Sequence, residues 1–341
     1  MELERGEAQE VWNEMVWNSL TWLVQVVVFP GFLTLIALAL FYEWVDRKFV
    51  AKLQNRYGPL HVGPHGLLQP IADLIKLLSK EDITPLAADR VIFAASPLIL
   101  LASPLTALLF IPMSGVYSTV GFEGDLLLVL FLFMLPMIAI FLGSWASANR
   151  FTAVGAVRAT LQLLAYEVPM GMAAIGTAIA ARSLSISRIV AWQAGSGVWL
   201  AVIQPLGFIV FTMCVVAELR RVPFDAPTAE TEIVAGWETE FSGKKLAVIR
   251  LGEDLSTLLL AGLAVSLYLG GPAGPAPIPP IVYFLAKVTA YVLLISLIRA
   301  AFARFRIDQT LRNFWGYLLP LSIVQVLVVQ LLAGGVLAWL W

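Results

Sequence analysis

The fourth long apolar stretch of the sequence, 160–181, contains an acidic side chain well inside it. Glu167 follows Tyr166 about two turns in, and Arg158 and Gln162 precede them at four-residue intervals. That spacing places Arg158, Gln162 and Tyr166 along one stripe of a helix, with Glu167 beside it. An ionised carboxyl group at that depth costs free energy, so its presence points to proton exchange or to a buried pair. The stripe therefore predicts either a polar track into a membrane or a buried contact between helices.

A second group of carboxylates lies in the polar segment 218–254. Pro223 and Pro227 prevent one uninterrupted helix there, and apolar residues such as Phe224 and Trp237 alternate with the charges. This interleaving favours a folded loop, covered by the chain's own helices or by a partner, over a freely solvated charge run. The acidic residues of the segment are Glu218, Asp225, Glu230, Glu232, Glu238, Glu240, Glu253 and Asp254.

The composition excludes several classes of protein. Of the 341 residues, 60% are hydrophobic and 13% are charged, the net charge is −1 and the mean hydropathy is +0.85. These values exclude a soluble globular enzyme and a disordered chain, and they give no reason to expect nucleic-acid binding. The chain has one cysteine and two histidines, which argues against a disulfide framework, a thiolate zinc site, an iron–sulfur cluster or a haem. A multi-span membrane protein remains.

The elements that must position these carboxylates are membrane helices. A span needs about 20 mostly apolar residues, and eight stretches qualify: 20–43, 91–113, 125–148, 160–181, 198–217, 252–270, 281–302 and 317–340. Between the first two, apolar and charged residues alternate at helical spacing over 66–82, which predicts an amphipathic helix at the membrane interface. We therefore expect an all-α integral membrane protein with an acidic tail, 1–19, and one eight-helix domain, 20–341, whose long polar loop is 218–254.

Basic residues predict the orientation, because loops rich in Lys and Arg face the cytoplasm. The segments 45–90, 149–158, 218–250 and 299–316 hold 18 of the 22 Lys and Arg residues. We expect these four segments on the cytoplasmic side of a prokaryotic plasma membrane, or its equivalent, and both termini outside.

Four segments carry a family resemblance. The run DRKFVAKLQNRYGPLHVGPHGLLQP opens the segment 46–85, SANRFTAVGAVRATLQLLAYE fills 147–167, and 217–243 and 303–320 follow in order. Together they resemble the H-subunit family of proton-pumping NADH:quinone oxidoreductase, respiratory complex I. The resemblance runs from about residue 20 to the C-terminus.

The resemblance implies a membrane subunit of a redox-driven translocase that has no complete active site of its own. It implies quinone as the substrate, iron–sulfur clusters in partner subunits, and no cofactor bound by this chain alone. The implied partners are the hydrophilic-arm subunits beside the quinone site, small membrane subunits, antiporter-like pump subunits and membrane lipid.

The resemblance also assigns roles to residues of this sequence. The implied proton relay comprises Asp73, Glu167, Glu218, Asp225, Glu230, Glu232, Glu240 and Glu253. The implied lining of the quinone chamber comprises Arg47, Arg158, Arg221, Phe224, Arg304, Arg306 and Asp308.

The sequence departs from the family pattern at several positions, and alternatives stay open. Thr228 stands where a loop glutamate is common, and Glu238, Arg250 and Asp254 replace residues of other types. The last features resemble ferredoxin-linked, energy-converting hydrogenase-type complexes, some of which have no quinone. A secondary transporter and a structural anchor for a hydrophilic enzyme are the other interpretations, although no internal repeat of the transporter kind is present.

Overall fold

The computed structural model describes residue 27 and residues 31–275 and 277–334. These ranges contain α-helices and short irregular connections, and no strand, which confirms the all-α prediction. The helices of seven residues or more are α1 Phe32–Leu53, α2 Gln69–Ser79, α3 Arg90–Ala107, α4 Asp125–Ala146, α5 Arg150–Ala181, α6 Ile186–Ser196, α7 Pro205–Glu218, α8 Gly243–Tyr268, α9 Pro280–Ala301, α10 Ile307–Asn313 and α11 Leu319–Gly334.

Local sequence signals set several helix ends. The Asp89 carboxylate accepts hydrogen bonds from the Val91 and Ile92 amides and so caps α3, and the Asn149 side chain caps α5 through the Phe151 amide. These caps satisfy amides that have no partner within the helix. Helix α7 begins at Pro205, whose ring fits the first turn of a helix.

Helices α8 and α5 form the centre of the bundle. Helix α8 packs against α1, α3 and α9, and α5 packs against α4, α7 and α11. Most side chains of α8 from Leu255 to Tyr268 are buried. The bundle turns other apolar residues outward, including Leu127, Phe131 and Leu142 of α4. Apolar side chains on the outer surface are what lipid contact requires.

Five helical segments are long and apolar enough to cross a membrane. They are Arg90–Phe110, Asp125–Ala146, Arg150–Ala181, Pro280–Ala301 and Ile307–Leu332. The described residues therefore do not confirm the count of eight. The acidic tail 1–19, the start of the first predicted span and the end of the last lie outside the described residues.

The three unconfirmed spans deviate for identifiable reasons. A break at Gln204 separates the turn Leu200–Ile203 from α7, which has 14 residues and is about 21 Å long, shorter than the hydrocarbon core. In helix α1, four of the six residues from Glu43 to Lys48 are charged. Helix α8 starts nine residues before the predicted span and so includes Lys244, Lys245 and Arg250.

Two of the predicted loops are partly helical. Residues 150–158 are the first turns of α5, and residues 243–254 are the first turns of α8. The folded connection between α7 and α8 is therefore 219–242, which we call the α7–α8 loop. The amphipathic helix is shorter than predicted, Gln69–Ser79, and its apolar residues Ile71, Ile75 and Leu78 are exposed.

The four basic segments contact one another through the α7–α8 loop and the start of α8. Arg158 bridges Glu232, Lys245 bridges Asp82, and Arg304 bridges Asp225. The structure thus joins the segments for which the basic residues predict a common side, and their cytoplasmic location stays a prediction.

The α7–α8 loop is held so close to α5 that a methyl group does not fit between them. A Cβ on Gly155 would lie 2.5 Å from the Trp237 amide nitrogen, whereas a Cβ on Gly171 of the same helix would meet nothing within 4 Å. We expect Gly155→Ala to destabilise the protein by about 1–3 kcal/mol, because backbone must move. Gly171→Ala should be neutral or slightly stabilising, because alanine favours helix.

Thermal unfolding of the purified complex and limited proteolysis within 219–242 measure the difference between the two variants. Equal melting temperatures and equal cleavage rates would contradict the close contact between α5 and the loop.

Candidate functional site

A cavity of about 710 Å³ opens between α1, α2, α8 and the α7–α8 loop. Its wall is unusually rich in charge for a protein of this composition. The charged residues that line it are Glu43, Arg47, Asp73, Lys76, Glu218, Arg220, Arg221, Asp225, Glu238, Arg250, Glu253, Asp254, Arg299 and Arg304. Buried charges in such a place must be paired, and the pairs fall into a few groups.

The most deeply buried group centres on Asp46 of α1, whose side chain is 1% exposed. Arg221 of the loop lies 3.1 Å from its carboxylate and Arg299 of α9 lies 2.6 Å from it. The Ser296 hydroxyl donates a 2.5 Å hydrogen bond to the other carboxylate oxygen. One carboxylate therefore ties together α1, α9 and the first residues after α7.

A second group joins the loop to α8. The Arg220 guanidinium lies 2.9 Å from the Glu253 carboxylate, and Arg250 bridges Glu253 at 3.2 Å and Glu238 at 2.7 Å. Arg220 also lies over the Trp237 ring, 5.5 Å from its centroid. Burial lowers the pKa of Arg220, but the Glu253 and Glu218 carboxylates raise it more, so the group stays charged.

A third group lies where α1 meets the amphipathic helix. Arg47 donates to Asp73 at 2.8 Å and to Glu43, and Lys76 lies 3.7 Å from Asp73. Burial raises the pKa of Asp73, but hydrogen bonds from Arg47 and Gln69 lower it more, so the pKa lies below its usual value. Asp73 is therefore a carboxylate at neutral pH and anchors α2 to α1.

Glu43 of α1 and Asp254 of α8 also line the cavity, and their carboxyl groups repel each other when both are ionised. The cavity wall between α1 and α8 thus carries two neighbouring acidic side chains.

The α7–α8 loop is fixed to its surroundings by side chains of α5 and of the connection after α9. The Gln162 amide donates to the carbonyls of Ala217 and Phe224, at 2.7 and 2.8 Å. Arg304 holds Asp225 through two hydrogen bonds of 2.7 and 2.6 Å. The stripe predicted on α5 is thus real, and Gln162 serves to hold the loop.

Glu218, the last residue of α7, lies at the boundary between the large cavity and a second one. The second cavity measures about 40 Å³, and Tyr166, Glu167 and Glu218 all line it. The Tyr166 hydroxyl donates to the Glu218 carboxylate. Both side chains are buried, at 2% and 5% exposure. A carboxylate that contacts both cavities can pass a proton from one to the other.

The structure brings some of the predicted site residues to the large cavity and leaves others elsewhere. Those at the cavity are Arg47, Asp73, Glu218, Arg221, Asp225, Glu253 and Arg304. Glu167 lines the small cavity, and the Glu230 side chain lies outside the described part of the chain.

The other predicted residues lie off both cavities. Phe224 packs between Phe305 and Phe314 in the core. Glu240 accepts a hydrogen bond from Asn149. The last four are Arg158 and Glu232, which form an ion pair with each other, and Arg306 and Asp308, which are exposed.

Sequence reasoning did not place several cavity residues in the site. These are Glu43, Lys76, Arg220, Glu238, Arg250, Asp254 and Arg299. A signal for some of them was present, because Glu238, Arg250 and Asp254 are departures from the family pattern. All three line the same cavity. The described residues contain no group of three His, Cys, Asp or Glu side chains with the arrangement of a metal site.

The comparison with known sequences decides the family. The sequence model of the family described as NADH dehydrogenase matches residues 24–330, which is most of the chain. The chain belongs to the NADH dehydrogenase family. This confirms the resemblance found in the four motifs.

Relatives within this family have similar lengths, and each of the following is named as an H subunit of NADH-quinone oxidoreductase. A Rhizobium etli protein is 40% identical over 314 residues, which cover 89% of this chain and 92% of the relative. A Geobacter metallireducens protein is 39% identical over 306 residues, 87% of this chain and 92% of the relative. A Dehalococcoides mccartyi protein is 37% identical over 306 residues, 90% of this chain and 85% of the relative.

The buried Asp46 group supports a prediction about stability. Asp46→Asn leaves Arg221 and Arg299 beside a neutral amide, and uncompensated buried charge costs about 3–5 kcal/mol. The control is Glu123→Gln, because Glu123 pairs with Arg188 and both side chains are more than half exposed. Exposed pairs contribute less than about 1 kcal/mol.

The thermal midpoint and the amount of each variant in assembled complex should fall for Asp46→Asn and stay near the wild-type values for Glu123→Gln. Two variants of equal stability would contradict the role of Asp46 as an anchor.

Proposed function

We propose that this chain is a membrane subunit of an NADH-quinone oxidoreductase complex of the respiratory type. It forms the membrane side of a quinone chamber and the first carboxylates of a proton path. The hydrophilic arm completes the chamber and carries the iron–sulfur clusters, and antiporter-like subunits continue the path. The chain lies in the prokaryotic plasma membrane with the α7–α8 loop on the cytoplasmic side.

The observation that supports this function is the position of Glu218 between the two cavities. The large cavity has the size of a small-molecule site and is lined by groups that can stabilise a transient negative charge. Reduction of quinone to quinol takes up protons together with electrons, so negative charge develops in the chamber before the protons arrive. Charges of this kind change the proton affinity of carboxyl groups nearby by Coulomb interaction.

A path from the chamber into the bundle begins at these groups. Glu253 and the Glu43–Asp254 pair line the chamber, Glu218 lies at its inner wall, and Tyr166 connects Glu218 to the small cavity that Glu167 lines. Because these carboxyls interact, they titrate as a set. The path proposed for the protons is therefore from the chamber through Glu218 to Glu167.

Glu218→Gln tests the path directly. The amide keeps the shape of the side chain and the hydrogen bond with Tyr166 but cannot carry a proton. We expect the number of protons pumped per electron to fall at least tenfold in vesicles containing the assembled complex. The control is Glu123→Gln, because Glu123 pairs with Arg188 near the start of α6, and both side chains are more than half exposed.

Wild-type pumping in the assembled Glu218→Gln complex would overturn the path. Loss of pumping in the Glu123→Gln complex as well would show that the measurement reports general damage.

A bulky side chain in the large cavity tests the chamber. Ala235 lies on its wall, and Ala235→Phe reduces the space for a quinone head group. We expect the KM for a short-chain quinone to rise severalfold. Electron transfer from the donor to a water-soluble artificial acceptor at the hydrophilic arm should be unchanged, and an unchanged KM would contradict the chamber.

A second candidate is the equivalent subunit of a ferredoxin-linked, hydrogenase-type ion pump. The charged residues Arg250 and Asp254, which resemble that type of complex, both line the chamber. Isolation of the complex with its neighbouring subunits distinguishes the two. A nickel–iron hydrogenase subunit and no quinone reduction would favour the second candidate.

A further inference from the structure

Arg220 is a buried cation on the wall of the large cavity, which Glu253 and Glu218 also line. Its side chain is 6% exposed, and its Nη2 lies 2.9 Å from Oε1 of Glu253. Glu218 precedes it by two residues and lies within range of its charge. The same guanidinium therefore pairs with one carboxylate of the chamber and acts through space on the carboxylate at the entrance of the small cavity.

The backbone at Arg220 has a conformation that a glycine would adopt at lower cost. Its φ is +50°, immediately after the C-terminal cap of α7 at Leu219. This is the position where helices commonly end in a left-handed residue, usually glycine. A side chain with a Cβ is strained there, because the Cβ approaches the following carbonyl oxygen. The arginine is thus present in spite of its backbone, which points to a role for its side chain.

The guanidinium is not fully used by its present partners. Its Nε is buried and has no hydrogen-bond partner among the described residues. Its Nη1 faces the Met137 sulfur at 3.4 Å, which is a weak acceptor. The group therefore keeps donor capacity for a stronger acceptor, and the Glu218 carboxylate lines the same cavity.

We propose that Arg220 is a positioning residue that controls proton release from Glu218 by dividing its charge between Glu253 and Glu218. This inference rests on the proposed function and adds a control element to it. The only covalent bonds made or broken are O–H bonds.

The sequence of events follows from the signs of the charges. When Glu253 takes up a proton from the chamber, it loses its negative charge and its attraction for Arg220. The guanidinium then interacts with Glu218 and stabilises its ionised form. Glu218 releases its proton through Tyr166 towards Glu167, and the return of Arg220 to an ionised Glu253 resets the pair.

Other charges act on the same pair from each packed element. They are Tyr166 and Glu167 of α5, Glu43 of α1, Arg221 and Glu238 of the loop, and Arg250 and Asp254 of α8. Arg250 is the most informative of these, because it also bridges Glu253, at 3.2 Å, but is 54% exposed. Arg250 is therefore a second cation bound to Glu253 and can serve as a control for Arg220.

The test uses the whole complex in vesicles, with proton translocation per electron measured as a function of pH. Arg220→Met keeps the alkyl packing against Trp237 and removes the charge, and Arg220→Gly relieves the backbone. Without the cation, Glu218 and Glu253 hold their protons to higher pH. We expect both variants to lose most pumping at neutral pH and to regain it at a pH higher by about 1–3 units.

Two comparisons separate this role from a structural one. Arg220→Lys keeps the charge and should keep the wild-type pH profile with a reduced rate. Arg250→Gln removes a cation from Glu253 and Glu238 but leaves Arg220 in place, and it should move the profile less than Arg220→Met. Unchanged pH profiles in Arg220→Met and Arg220→Gly, with only a lower amount of complex, would overturn the inference.

The failure of the inference differs from the failure of the proposed function. If Glu218→Gln abolishes pumping while Arg220→Met leaves the pH profile unchanged, the path stands and the control by Arg220 is wrong. If Glu218→Gln pumps normally, the path itself is wrong.

Discussion

Charge buried in an apolar helix bundle must be paired, and this requirement shapes the centre of the protein. The consecutive residues Arg220 and Arg221, just after α7, form ion pairs with different helices. One meets Glu253 of α8, and the other meets Asp46 of α1. Because each pair lies between different helices, the α7–α8 loop cannot move without separating charges in a medium of low dielectric. The cavity keeps its shape for this reason, and its ion pairs connect it to the carboxylates deeper in the bundle.

The arrangement of charges also makes the carboxyl groups sensitive to a new charge in the cavity. Glu253 is held by Arg220 and Arg250, while Asp254 lies near the Glu43 carboxyl group, and all three acidic side chains line one cavity. A new charge in the cavity therefore acts on a set of carboxyl groups with different electrostatic surroundings. Glu218 is the member of this set that reaches the small cavity. Glu218 is therefore the side chain in this set that is placed to transfer a proton from one cavity to the other.

The sequence predicted the parts of this arrangement that depend on local pattern. Hydropathy located α3, α4 and α9 closely, and the four-residue spacing from Arg158 to Tyr166 identified the polar stripe of α5. The pattern could not show that Gln204 divides the fifth span, because a break within an apolar run leaves its hydropathy unchanged. It also could not show that 150–158 and 243–254 continue as helix, since charged residues at helix ends look like loops.

The pairings themselves depend on contacts that no local pattern encodes. Asp46 and Arg299 are 253 residues apart and come within 2.6 Å, and Phe224 is a core residue because α10 and the segment after it pack over it. The family resemblance supplied Glu218, Glu253 and Arg221, but it did not single out Arg220, which lies inside the 217–243 motif, or Glu43, which lies just before the 46–85 motif. Redox-induced infrared difference spectroscopy of the complex in lipid tests the central claim about Glu218 most directly. The account predicts a carboxyl protonation band in the wild type that disappears in Glu218→Gln, and identical carboxyl bands in both proteins would contradict it.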